Sequence, residues 1–133
     1  LTCYGYWELI SDLELQTMFS NYEGKLFVFL EACHSGSMNE VVTVDPNRAN
    51  RYMVTPSAAD TVAYCGWSGT FLTEGLQGQR YWWRIQWEGG SGHEDMEGNF
   101  AWAKPRYMRA LEGVPELPMP QEFDGNPYTS FYL

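Results

Sequence analysis

The chain has 133 residues, the size of one domain and enough to bury a core. Hydrophobic residues make up 44% and aromatic ones 17%, which excludes disorder through low hydrophobicity. The net charge of −9, with eight Lys and Arg that form no dense cluster, argues against a nucleic-acid partner, and no apolar run reaches membrane-spanning length.

Ser11 to Asn21 reads as a helix. Ser11 and Glu14 make a capping box, and Leu15, Met18, Phe19 and Tyr22 fall on one face. Gly24 is expected to end it. Lys25 to Ala32, "KLFVFLEA", is a nearly continuous apolar run of strand length, the pattern of a parallel strand covered on both faces. Helix followed by buried strand is half of a βαβ unit and implies an α/β sheet. Tyr52 to Thr55 reads as a second short strand, with Pro56 and Ser57 opening a loop.

Thr70 to Gln77 reads as a helix with Phe71, Leu72 and Leu76 inward and Gly78 as its stop. In "QRYWWRIQWEGGSG", Tyr81, Trp83 and Ile85 alternate with Trp82, Arg84 and Gln86, as in a short strand or hairpin arm. Gly89, Gly90 and Gly92 make a joint, and His93 to Lys104 reads as a helix closed by Pro105. The tail "VPELPMPQEF" is proline-spaced and extended, and Phe131 to Leu133 is placed as a last edge strand. Three sheet strands and three helices result. A parallel strand set this small leaves a raw edge, so further strands are expected upstream of Leu1 and the chain reads as a piece of something longer.

Cys3, Cys33 and Cys65 are odd in number and widely spaced, so no disulfide framework suggests itself. A zinc site would have to use Cys33, His34, Cys65 and His93. No C-x-x-C or H-x-x-x-H spacing supports it, and neither metal nor cofactor is expected.

Cys33 stands at the carboxyl end of the first strand, where catalytic groups gather in open α/β sheets. Ser35, Gly36 and Ser37 follow, small residues that allow a substrate backbone to come close. Two readings are open at this point: a nucleophile served by a nearby base, or a buried, inert thiol.

The stretch "FVFLEACHSGSM" resembles the nucleophile strand of caspase-like (clan CD) cysteine peptidases. It is most similar to the legumain family, which carries Glu-Ala-Cys-x-Ser-Gly-Ser-Met after an apolar strand, and to prokaryotic members with Ala-Cys-His-Ser-Gly. "ELISDLELQTMF" is similar to the preceding helix, "YMVTPSAADTVAY" to the next strand and loop, and "GTFLTEGLQG" to the helix after it. "FAWAKPR" and "PQEFDGNP" resemble the closing helix and tail. The likeness spans nearly the whole chain, with "RYWWRIQWEGG" its least familiar part.

That resemblance implies the C-terminal portion of a caspase-like peptidase domain over residues 1–133: a mostly parallel sheet flanked by helices, hydrolysing peptide bonds. It makes Cys33 the nucleophile, with its own N–H as an oxyanion donor. It puts Glu31 in the pocket for the residue before the cut, on the side of Cys33 by strand alternation. Ser57, followed by Ala58-Ala59-Asp60-Thr61, takes the place of the opposite wall. Glu74 falls near an acidic pocket residue, or else is a solvated helix position. Two carboxylates would favour Arg or Lys, whereas one hydrogen-bonded carboxylate could select Asn.

The sequence departs from the family in one respect. The family takes its base from a His-Gly pair upstream of the "ISD" helix, and Leu1 to Ser11 contains no histidine. His34 would point away from Cys33 in extended backbone, and His93 lies beyond the glycine joint. Alone, the chain is therefore expected to be inactive. Either a complementary N-terminal segment or chain supplies the base, or the protein is a pseudopeptidase acting as an interaction module. The aromatic cluster Tyr81, Trp82, Trp83 and Trp87 would be either its binding face or core packing.

Overall fold

The computed structural model describes residues 10–76 and 94–133. Helix α1 (Asp12–Phe19) starts from the capping box: Ser11 Oγ accepts from the Glu14 N–H at 3.2 Å, and the Glu14 carboxylate accepts from the Ser11 N–H at 2.8 Å. Two donors that no helical carbonyl can reach are thereby satisfied. The helix gives way at Ser20, before Gly24 is reached. Leu15 and Phe19, four residues apart, pack inward, while Met18 and Tyr22 are 68% and 51% exposed. The buried stripe is thus narrower than the sequence suggests.

Among the described residues, three strands form the sheet, in the order β1 (Leu26–Phe29), β2 (Arg51–Thr55), β3 (Gln121–Asp124). β1 and β2 are parallel, with Leu26 opposite Arg51 and Phe29 opposite Val54. β2 and β3 are antiparallel, with Met53 opposite Phe123. A 3-10 turn (Ser35–Asn39) runs into the short helix α2 (Glu40–Thr43) and fills the crossover between the parallel strands. After β2 come α3 (Gly69–Leu76), wound as a π-helix, and the long α4 (Met96–Ala110).

Strand alternation sorts the core into two layers. Phe27, Phe29, Tyr52 and Val54 face Trp67, Phe71, Phe100, Ala103, Tyr107 and Phe131 on the side of α3 and α4. Leu26, Val28, Leu30, Met53 and Phe123 face Leu15, Phe19, Val41 and Val42 on the side of α1 and α2. The result is an α/β arrangement with helices on both faces of a small mixed sheet. Trp67 is fully buried and meets Phe71, Phe100 and Tyr107 at centroid distances of 5.4, 5.9 and 5.2 Å. Each such ring pair contributes about 0.5–1.5 kcal/mol beyond area burial.

Four expectations need correction. The sheet is mixed, not mostly parallel, because "QEFD" takes the place beside β2 in antiparallel sense. Its polar composition hid it: only Phe123 faces the core. Phe131 to Leu133 is not a strand. Phe131 is drawn into the core, stacking on Tyr52 at 5.4 Å while its N–H donates to Glu97, and only Tyr132 bridges to Asp95. Pro105 lies inside α4 and does not close it. The carbonyl it leaves unpaired belongs to the exposed Ala101, where water can serve it. Finally, β1 has both faces covered, yet only Val28 is buried, since β1 pairs on one edge alone among the described residues.

Arg51, the first residue of β2, is fully buried. Its guanidinium donates to the carbonyls of Gly24 (2.7 Å), Phe19 (3.3 Å) and Tyr22, and its Nε lies 3.5 Å from Asp45 Oδ2. Asp45 Oδ1 in turn accepts from the Asn47 N–H at 2.6 Å. The chain leaving α1 is thereby tied to the start of the central strand.

Candidate functional site

β1 and β2 run side by side, so their carboxyl ends open onto the same edge of the sheet. The pairing extends one step past β1, where the Leu30 N–H donates to Val54 O at 3.1 Å. Beyond that step the chain passes into Glu31, Ala32 and Cys33 after one strand and Pro56 and Ser57 after the other. Small residues let the two loops interlock.

Ser57 is the pivot. It is fully buried; its hydroxyl donates to Ala32 O at 3.1 Å, accepts from the Ser35 N–H at 3.3 Å, and lies 3.3 Å from Ser35 Oγ. The Gly36 N–H donates to Ser57 O at 3.0 Å. A side chain at Gly36 would come within 2.8 Å of that carbonyl, which is why glycine stands there. One residue earlier, the His34 N–H donates to Thr61 O at 3.0 Å.

His34 itself is left-handed, with φ 58° and ψ 16°, the sole non-glycine residue of positive φ among the described residues. The strain is held from several directions. Nδ1 lies 3.1 Å from Ala59 O, and the His34 carbonyl accepts from the Ser37 hydroxyl at 2.8 Å and the Ser37 N–H at 3.1 Å. Strained backbone persists where surrounding contacts over-determine it, and such places cluster at functional sites.

Cys33 sits at the crest of this turn, exposed and reduced. Its sulfur accepts from the Ala63 N–H at 3.3 Å and donates to Ala63 O at 3.5 Å. Glu31 is also exposed, and its Oε1 accepts from the Ser68 N–H at 3.2 Å, in the turn that leads into α3. That backbone donor fixes the carboxylate where a helix start favours negative charge. Behind them Tyr107, on the buried side of α4, donates from its phenol to Tyr64 O at 2.5 Å and accepts from the Tyr64 N–H at 3.0 Å. Burial raises the Tyr107 phenol above its ordinary value, the hydrogen bond to Tyr64 opposes this, and Glu31, Cys65 and Cys33 add to the rise from within electrostatic reach.

Glu31 and Cys33 follow β1 and Ser57 follows β2: Ser57 holds the chain on either side of Cys33 through Ala32 O and the Ser35 N–H, while Glu31 is tied to Ser68 and Cys33 to Ala63. Glu74 is exposed on α3 and makes no hydrogen bond or ion pair to this group among the described residues. His93 and the aromatic cluster Tyr81, Trp82, Trp83 and Trp87 lie outside the described residues. Ala63 and the Tyr64–Tyr107 pair were not legible as site residues. They contribute mostly backbone groups, which no side-chain pattern reveals. Tyr107 gave one usable signal, a phenol on a core-facing helical position that must find a polar partner.

Comparison with family models, with curated proteins and with solved structures finds no match for this chain.

Proposed function

We propose that this chain carries the nucleophile of a caspase- or legumain-like cysteine endopeptidase, with Cys33 attacking the scissile carbonyl. The observation that carries the reading is the exposed Cys33 thiol on a strained turn at the carboxyl ends of two parallel strands, with Glu31 two residues before it in the chain. In this mechanism the sulfur adds to the carbonyl carbon while its proton passes to an imidazole. The resulting oxyanion is held by the Cys33 N–H. The N–H groups of His34, Ser35 and Gly36 are already committed to the 57–61 loop, so Cys33 is the donor this turn presents. Collapse expels the amine, which takes the proton from the imidazole, and water then hydrolyses the thioester.

The imidazole comes from a complementary segment or chain. His34 does not serve, because its ring is turned to Ala59 O. Glu31, anchored by the Ser68 N–H, lines the pocket for the residue before the cut and selects Arg or Lys by charge, or Asn by hydrogen bonding. Ser57 acts from beneath, holding the turn that presents the thiol. Glu74 takes part only if substrate or a partner segment reaches α3.

The test is cleavage of fluorogenic peptides ending in Arg, Lys or Asn by the protein isolated from its natural source. Cys33→Ala should lower turnover roughly a thousandfold or more, as loss of a nucleophile does, while the thermal melt stays put because the residue is exposed. Cleavage that survives Cys33→Ala overturns the assignment. A natural protein with no cleavage at all favours the non-catalytic interaction module.

A further inference from the structure

We propose that Cys33 and Cys65 form a peroxide-responsive pair, in which Cys65 resolves an oxidised Cys33 into a reversible disulfide. The two residues are far apart in sequence, but Ala63 brings them together. Its N–H and C=O bracket the Cys33 sulfur at 3.3 and 3.5 Å, and Cys65 follows two residues later. Consecutive Cα atoms are about 3.8 Å apart, so Ala63 and Cys65 lie within roughly 7 Å of each other. Closing the disulfide requires this loop to bring the Cys33 and Cys65 Cα atoms to about 4.4–6.8 Å of each other. Both thiols are exposed and reduced, and both lie within electrostatic reach of Tyr107, whose phenol grips Tyr64 between them. Residues 62–64 belong to no helix or strand, and Gly66 at φ +112° ends the segment, so drawing Cys65 toward Cys33 breaks no ladder of hydrogen bonds.

The chemistry balances with hydrogen peroxide as the oxidant. The Cys33 sulfur attacks one peroxide oxygen; an S–O bond forms and the O–O bond breaks. The departing hydroxide takes the proton that the thiol gave up and leaves as water. The Ala63 N–H, aimed at the sulfur, remains as a donor to the sulfenic acid. Cys65 sulfur then attacks Cys33 sulfur, the S–S bond forms and the S–O bond breaks. Hydroxide leaves with the Cys65 proton as a second water. Two thiols are oxidised and one peroxide is reduced. If Cys33 is the nucleophile proposed above, the disulfide silences it and protects it from irreversible oxidation. That consequence rests on the peptidase reading, whereas the disulfide itself does not.

The experiment treats the reduced full chain with one equivalent of hydrogen peroxide, blocks remaining thiols, and maps peptides by mass. The expected result is a Cys33–Cys65 cross-linked peptide pair that dithiothreitol abolishes. In Cys65→Ser, a change at an exposed position, dimedone should label Cys33 instead, and more peroxide should carry Cys33 to the sulfinic acid that dithiothreitol cannot recover. A cross-link from Cys33 to Cys3, or equal sulfinic acid in the wild type and Cys65→Ser, overturns the proposal. Because the readout is mass, a cross-link in a protein that cleaves nothing sinks the peptidase reading alone, and cleavage without a cross-link sinks this one alone.

Discussion

Ser57→Ala isolates what holds the Cys33 turn in shape. The substitution keeps Cβ and deletes a buried hydroxyl that donates to Ala32 O, accepts from the Ser35 N–H and meets the Ser35 hydroxyl. Ser35 is only 3% exposed, so its N–H would be left without water or protein partner. An unsatisfied buried donor costs about 1–3 kcal/mol and the lost bond to the half-buried Ala32 carbonyl about 1 kcal/mol more, giving roughly 2–4 kcal/mol. For a chain of this length that lowers the melting temperature by roughly 8–15 °C. Ser35→Ala is the control, because Ser57 still donates to Ala32 O and still accepts from residue 35. It loses one hydroxyl pair, about 0.5–1.5 kcal/mol. The assay is thermal unfolding followed by circular dichroism, with hydrogen exchange at the amides of residues 35 and 36. Exchange should speed up there in Ser57→Ala before it does elsewhere. If Ser57→Ala melts no lower than Ser35→Ala, Ser57 is not the pivot and the account of the turn is wrong.

Asp45→Ala should destabilise by roughly 3–5 kcal/mol in a denaturant titration, because it leaves the Arg51 guanidinium buried without its counter-charge. Asp45→Asn keeps an acceptor for the Asn47 N–H and should cost less; equal losses would show that charge plays no part. Next to Arg51 on β2, the Tyr52 hydroxyl donates to Glu122 Oε2. Burial raises the Glu122 carboxyl above its ordinary value, the Tyr52 hydrogen bond lowers it, Glu97 and Asp124 raise it, and Lys104 lowers it. A carboxyl raised on folding binds more protons in the native state. Its contribution to stability is therefore full below the ordinary value of 4.5 and is lost as pH climbs through the raised one. Glu122→Gln should flatten that decline in melts collected from acid to neutral pH, and an unchanged slope would assign the decline to other groups.

The fold was legible where one residue's chemistry settles local structure. Ser11 with Glu14 marked the start of α1, and the apolar runs around Val28 and Met53 marked a parallel pair covered on both faces. The antiparallel β3 was not legible, because strand pairing is decided by a partner elsewhere in the chain and "QEFD" offers a single apolar residue. Pro105 misled for a related reason: whether a proline ends a helix depends on whether water reaches the orphaned carbonyl, which is a tertiary fact. At the candidate site, Cys33, Glu31 and Ser57 could be named from the strand end and the resemblance it carries. The Arg51–Asp45 pair and the Ala63 backbone contacts to the sulfur could not, since they join segments that no periodicity links.

If the Cys33 sulfur attacks acyl carbonyls, as proposed above, an electrophilic ketone captures it covalently. The natural protein is treated with a peptidyl acyloxymethyl ketone bearing Arg, Lys or Asn, and the adduct is located by mass. A single adduct on Cys33, with Cys65 unmodified, is the predicted outcome. Labelling of Cys65 instead, or no adduct while iodoacetamide still reaches Cys33, would contradict it.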